Sequence, residues 1–79
     1  MAGFRAAFSS ARPAPYVAQL SGKAVYIPRT EHGHSFVGSV VVLTEAGEVV
    51  SVEVAIDEDE GVYIESNVDL IFHRVRITS

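Results

Sequence analysis

The chain contains no cysteine, which excludes disulfide staples and thiolate metal sites and leaves the redox compartment unread. Aromatic residues are scarce, at 9% of a chain that is 48% hydrophobic. The apolar share therefore comes mostly from valine and alanine, a composition that suits compact β-structure and argues against disorder. No apolar run approaches the ~20 residues of a membrane-spanning helix, so the expectation is a soluble, cytoplasmic protein with no membrane contact. Acids are missing from the first thirty residues, where Arg5, Arg12, Lys23 and Arg29 stand. Lysine and arginine are missing from 31–73, which hold all ten acids, and Arg74 and Arg76 follow. A nucleic-acid binder of the usual kind is basic overall, whereas the net charge here is −4. The segregation fits a basic surface for an anionic partner, complementary faces that meet between subunits, or a solvated acidic surface.

Catalytic signatures are absent as well. There is no Gly-x-Ser-x-Gly elbow, phosphate loop or zinc-protease motif. No serine has an evident His/Asp pairing, and the carboxylates fall at β-positions without forming an acid/base pair. The chain is expected not to be an enzyme and to carry no cofactor. Glu31-His32-Gly33-His34 puts two imidazoles and a carboxylate within four residues, and neutral imidazole is a common metal ligand. His32 and His34 are thus weak metal candidates. A catalytic zinc needs a third ligand; His73 or an acid could supply it, but no spacing marks one, so no metal is expected. Asp57-Glu58-Asp59-Glu60 lacks the alternating ligands of a calcium loop and reads as a solvated turn.

What is present describes one small domain. In a chain of 79 residues a single core supplies only roughly 3–5 kcal/mol of net stability, and self-association is the expected reinforcement. Residues 1–14 read as an N-terminal arm and 15–79 as a single small β-barrel domain. The arm is rich in alanine, serine and arginine, with Phe4 and Phe8 at helical i,i+4 spacing. Its composition fits an organelle transit peptide or a short amphipathic arm that docks on a neighbouring subunit.

Pro15 suits the first position of a helix, Tyr16, Val17 and Leu20 share a face, and Gly22 can end the turn; these predict a short helix over 15–21. A strand over 24–28, stopped by Pro28, and a polar loop over 29–34 follow. In the strand predicted over 35–44, Phe36, Val40 and Val42 occupy one parity and Val37, Val41 and Leu43 the other. Gly38 interrupts that row and marks a bulge, a tight bend or a close backbone approach. After the turn Glu45-Ala46-Gly47, residues 48–56 alternate, with Val50, Val52, Val54 and Ile56 on one face and Ser51 and Glu53 on the other. Residues 57–61 make a hairpin loop into 62–65. Val68, Leu70 and Phe72 share a parity that Val75 and Ile77 do not, and a bulge or sharp corner at His73-Arg74 accounts for the slip.

Gly22-Lys23-Ala24-Val25-Tyr26-Ile27, then Gly33, then Phe36-Val37-Gly38-Ser39-Val40 and the spacing on to Leu43 resemble the first signature of the Sm-like superfamily, the LSm and Hfq proteins. The resemblance covers roughly residues 15–52. It implies a mostly β fold, in which a short N-terminal helix precedes a five-stranded, strongly bent antiparallel small barrel of the Sm-like or SH3-like kind. It also implies a homo-oligomeric ring closed by pairing of edge strands, which removes exposed edges. Single-stranded RNA would bind near the pore through two loops of each subunit. Carried over residue by residue, those loops give Thr44, Glu48, His73 and Arg74 as RNA contacts. Thr44 and Glu48 stand where the family has Asp and Asn, and Phe72-His73-Arg74 stands where LSm proteins have Ile-Arg-Gly and Hfq has Lys-His. Arg74 would stack on a base, worth about 1–3 kcal/mol, with His73 donating to phosphate or base. Glu48 repeated around a pore would repel phosphate. The other reading of the same barrel is a structural or protein-interaction module without nucleic-acid binding. The acidic balance favours that second reading, and the signature spacing favours the first.

Overall fold

The computed structural model describes residues 14–79. They form seven strands and one helical turn: β1 (Tyr16–Gln19), β2 (Ala24–Ile27), α1 (Arg29–His32), β3 (Ser39–Leu43), β4 (Val49–Val50), β5 (Glu53–Ile56), β6 (Val62–Glu65) and β7 (Arg74–Thr78). The fold is mostly β, as its composition implies. Ala14 apart, the arm expected over 1–14 lies outside the described residues.

The strands make two antiparallel sheets, one in the order β1-β7-β3-β4 and the other in the order β2-β6-β5. Among the described residues no ladder joins the sheets, so the expected five-stranded closed barrel is not found. Instead the chain passes from one sheet to the other over 20–23, between β1 and β2, and again at Ser51-Val52, between β4 and β5. The single strand expected over 48–56 is thereby divided, because its alternating valines are shared between two sheets.

The helix expected over 15–21 is also corrected. Tyr16, Val17, Ala18 and Gln19 pair with Ile77, Arg76, Val75 and Arg74. A seven-residue helix cannot recover its nucleation cost in isolation, whereas a strand docked on β7 satisfies its backbone through the ladder. Tyr16 and Ala18 turn inward and Val17 and Gln19 outward, the period of two that the helical reading passed over. Pro15, just ahead of an edge strand, is where a sheet tolerates proline. Conversely, the loop expected over 29–34 contains α1, closed by Gly33 at φ 77° with its N–H donating to the Arg29 carbonyl at 2.8 Å.

Register defines the inward rows. In the first sheet Ala18, Val75, Val42 and Val50 lie in line, beside Tyr16, Ile77 and Val40. In the second, Val25, Ile64 and Val54 form one row and Ile27, Val62 and Ile56 the next. Leu20, Ile27, Val37, Val42, Val62, Ile64, Leu70, Val75 and Ile77 are the buried cluster these rows build. Two aromatic residues of the apolar rows lie outside this cluster. Phe36 precedes the shortened β3 and is 65% exposed, and Phe72 is 59% exposed. Of Val68, Leu70 and Phe72 only Leu70 is buried. The His73 N–H donates to the Leu70 carbonyl at 2.9 Å, so the parity slip at His73-Arg74 is a sharp corner that lets both Leu70 and Val75 point inward.

Gly38 is a close backbone approach. Its N–H donates to the Thr78 carbonyl at 2.7 Å, and a Cβ built there would lie 2.5 Å from the Ser79 carbonyl carbon. No side chain fits that gap without displacing the backbone.

Candidate functional site

The four residues expected to contact RNA come together at one end of the first sheet. Leu43 pairs with Arg74, so Thr44 and His73, the residues just beyond that pair, lie where the ladder ends. The turn between Thr44 and Glu48 closes on itself. The Thr44 N–H donates to the Glu48 carbonyl at 2.8 Å, the Gly47 N–H to the Thr44 carbonyl at 2.9 Å, and the Glu48 N–H to Thr44 Oγ1 at 3.1 Å. The side chains of Glu48 and Arg74 are exposed and that of His73 is half-buried. The His73 carbonyl accepts from the Leu20 N–H at 2.9 Å, while His73 Nδ1 is buried with no partner among the described residues. Phe72 adds an exposed aromatic ring beside this pair. It shares a parity with the buried Leu70, and the corner at Leu70–His73 leaves it exposed.

His32 and His34 are buried, at 5% and 1% exposure, with ring centroids 5.8 Å apart. The His34 N–H donates to His32 Nδ1 at 3.0 Å, and His32 Nε2 lies 2.6 Å from the Glu60 carbonyl oxygen. An Nδ1 that accepts and an Nε2 that faces a carbonyl define the neutral tautomer with its proton on Nε2. His32 then has no free lone pair for a metal. Both ring nitrogens of His34 lack a partner among the described residues. No group of three or more His, Cys, Asp or Glu residues among the described ones is arranged to hold a metal ion.

The acidic hairpin loop is less idle than a solvated turn. Asp57 Oδ1 accepts from the N–H groups of Gly61 at 2.8 Å and Asp59 at 2.9 Å, and Oδ2 accepts from the Tyr26 hydroxyl at 2.8 Å. Those bonds, the Gly61 amide foremost, hold the Asp57 carboxyl below its ordinary value, because they stabilise the ionised form. The same bond, seen from Tyr26, raises its phenol. Glu60 sits at φ 63°; its Oε1 accepts from the Val37 N–H at 2.8 Å while its carbonyl meets His32. The hairpin is thus stitched to the loop that carries both histidines. A third tie lies across the first sheet's edge, where the Tyr16 hydroxyl donates to Glu31 Oε2 at 2.5 Å. That bond, then burial, then the carboxylate charge push the Tyr16 phenol up to about 12.

The second sheet has a distinctive outer face. Register sets Ala24, Glu65 and Glu53 in one row and Tyr26, Tyr63 and Ala55 in the next. The two tyrosine rings lie 5.3 Å apart, tilted by 50°. Glu53 and Glu65 border a polar cleft of about 510 Å³ that Lys23, Ser51, Ser66 and Asn67 also line. At the sheet's edge every residue of β5 is exposed. Val54 and Ile56 are 39% and 46% exposed although they share inward rows with Ile64 and Val62, which are fully buried.

No family model matches the chain, and neither a curated protein nor a solved structure matches it.

Proposed function

We propose that the chain is a structural and protein-interaction module that self-associates through β5. The observation that carries this reading is the exposure of Val54 and Ile56 although their direct ladder partners, Ile64 and Val62, are fully buried. Among the described residues β5 pairs only with β6. An edge strand with free backbone groups and apolar side chains accepts another strand by sheet augmentation. A second copy would cover the open end of the core and add the stability that a chain of this size lacks.

A second reading, a ring that binds single-stranded RNA, draws on the meeting of the 44–48 turn with Phe72, His73 and Arg74. An exposed ring and a guanidinium beside a turn are the parts of a base-stacking platform. Glu45 and Glu48 in the same turn oppose it, since both repel phosphate.

Size-exclusion chromatography with light scattering tests the first reading. The parent chain is expected to run as an oligomer and Ile56→Lys to disperse it, because a lysine on an edge strand opposes strand addition. A monomeric parent overturns the proposal. Titration of labelled oligo-U and oligo-A at several salt concentrations tests the second: salt-sensitive binding weakened by Arg74→Ala, with assembly intact, supports RNA. An oligomer that ignores both oligonucleotides at low salt leaves the interaction module alone.

A further inference from the structure

We infer that residues 1–13 dock on the outer face of the second sheet, over Tyr26 and Tyr63 and between Glu53 and Glu65. The inference does not depend on how β5 assembles, because it concerns the face of the sheet and not its edge.

The face is built against its own interest. Glu53 and Glu65 are direct partners across the β5–β6 ladder, and like charges directly opposite each other destabilise a sheet. Beside them two tyrosines, 45% and 53% exposed, turn ring surface to solvent, with Ala24 and Ala55 as small neighbours that leave the rings accessible. A shallow hollow of about 130 Å³ lies among Glu53, Val54, Ala55, Tyr63 and Glu65. Paired carboxylates next to tyrosine rings recognise a guanidinium, by charge on one side and by cation–π contact on the other. They also accept an aromatic ring against the tyrosines.

Residues 1–13 supply that chemistry. They carry Arg5 and Arg12, no acid, and the phenylalanines Phe4 and Phe8. Lys23 lines the cleft that Glu53 and Glu65 border, but it is one ammonium facing two carboxylates and lacks the planar guanidinium that stacks on a tyrosine; the chain's other arginines are less suited. Arg74 and Arg76 lie on β7, which is flanked on both sides by β1 and β3, and Arg29 belongs to α1; none can leave its element to reach across a sheet. Length is sufficient. Thirteen residues span up to about 45 Å when extended, while facing sheets lie ~10 Å apart and neighbouring strands ~4.8 Å. Residues 1–13 contain no acid, so no carboxylate of the segment opposes Glu53 and Glu65. The occupant is this one segment, whether it folds back on its own copy or reaches a neighbouring one.

The absence of cysteine makes the test direct. Ser9→Cys in the full chain, carrying a nitroxide, is compared by NMR with the same protein after reduction of the label. Preferential broadening is expected at the amides of Ala24, Tyr26, Glu53, Ala55, Tyr63 and Glu65. A mixture of isotope-labelled untagged chain and tagged unlabelled chain reads docking from a neighbouring copy. The broadening should be lost in Glu53→Gln/Glu65→Gln and in Arg5→Gln/Arg12→Gln, and should fade with added salt as the attraction is screened. Broadening that is uniform, or confined to β1, β3 and β7 in both samples, overturns the inference. So does broadening that survives both double substitutions. Light scattering on the same samples reads the β5 assembly separately, so an unaltered oligomer with no broadening refutes the docking and spares the edge-strand reading.

Discussion

Glu60 sets two energies against each other, and substitutions there separate them. The residue adopts φ 63°, which costs a side-chain-bearing residue about 1–2 kcal/mol. Its Oε1 meanwhile accepts from the N–H of Val37, whose side chain is 8% exposed. Removing that acceptor strands a backbone donor near the core, at a cost of about 1–3 kcal/mol. The Glu60 carbonyl bond to His32 is common to every variant and cancels. Glu60→Ala loses the acceptor and keeps the backbone cost. Glu60→Gly loses the acceptor but relieves the backbone, less the ~0.5–1 kcal/mol of extra chain entropy that glycine adds to the unfolded state. Glu60→Gln keeps an acceptor oxygen and loses only the charge that strengthens the bond. The expected order of stability is Glu, Gln, Gly, Ala, with glycine about 1–2 kcal/mol below the parent by these terms. In thermal unfolding followed by circular dichroism, 1 kcal/mol corresponds to roughly 4–8 °C for a domain of this size. A glycine variant as stable as the parent refutes the expected order, because the Val37 bond would then be worth no more than the net backbone relief that glycine brings. Alanine and glycine variants of equal stability would show that the positive φ costs no more than the ~0.5–1 kcal/mol of glycine's chain entropy.

Gly38→Ala should destabilise by about 1–3 kcal/mol, the usual cost of overpacking, because its Cβ meets the Ser79 backbone; urea unfolding within error of the parent would refute the close approach. Tyr16, raised from 10.0 to about 12, is an acid held neutral in the fold. Its contribution is complete below the ordinary phenol value and disappears as pH rises through about 12. Ultraviolet titration should show Tyr16 among the last of the tyrosines to ionise, and Glu31→Gln should return it toward the ordinary value; no change on that substitution removes the bond from the account. Asp57, held low by its amide and hydroxyl bonds, has the opposite sign. Its contribution is complete above the ordinary carboxylate value and is lost as pH falls through the lowered one, so Asp57→Asn should flatten the acid limb of the stability profile, and an unaltered limb would contradict this.

Much of the fold was legible in residue order, and the exceptions have physical causes. Ala24 to Ile27, the hairpin over 57–61 and the tight passage at Gly38 were readable because alternation and glycine placement are local signals. Tyr16 to Gln19 were not, since apolar residues at 16, 17 and 20 satisfy a helical face while 16, 18 and 20 satisfy a strand. Only a partner as distant as β7 decides between them. The break at Ser51-Val52 was hidden because alternation continues through it, and the two halves differ only in which sheet they join. At the candidate sites, the grouping of the 44–48 turn with His73-Arg74 came from a resemblance and not from any local pattern, and the exposure of Phe72 depends on a corner that parity alone marks as a slip. The histidines are instructive in a different way. Spacing suggested a ligand pair, whereas the carbonyl that occupies His32 belongs to Glu60, twenty-eight residues on, and no short motif reports a bond of that span.

The place of β7 in the first sheet has a consequence for the order of assembly. It pairs with β1 on one side and β3 on the other, yet it is the last of the described strands to be synthesised. Until it emerges, β1 and β3 have no common neighbour, and the row formed by Ala18, Val75 and Val42 lacks its middle member. Closing a loop of that length costs entropy that grows with the logarithm of its span, and folding dominated by such distant pairings is slow. On the ribosome the second sheet, whose three strands are complete by Glu65, can form first. The half-made first sheet then waits for β7 with β1 and β3 lacking their shared partner, and unpaired strand edges of this kind are what make folding intermediates prone to aggregate.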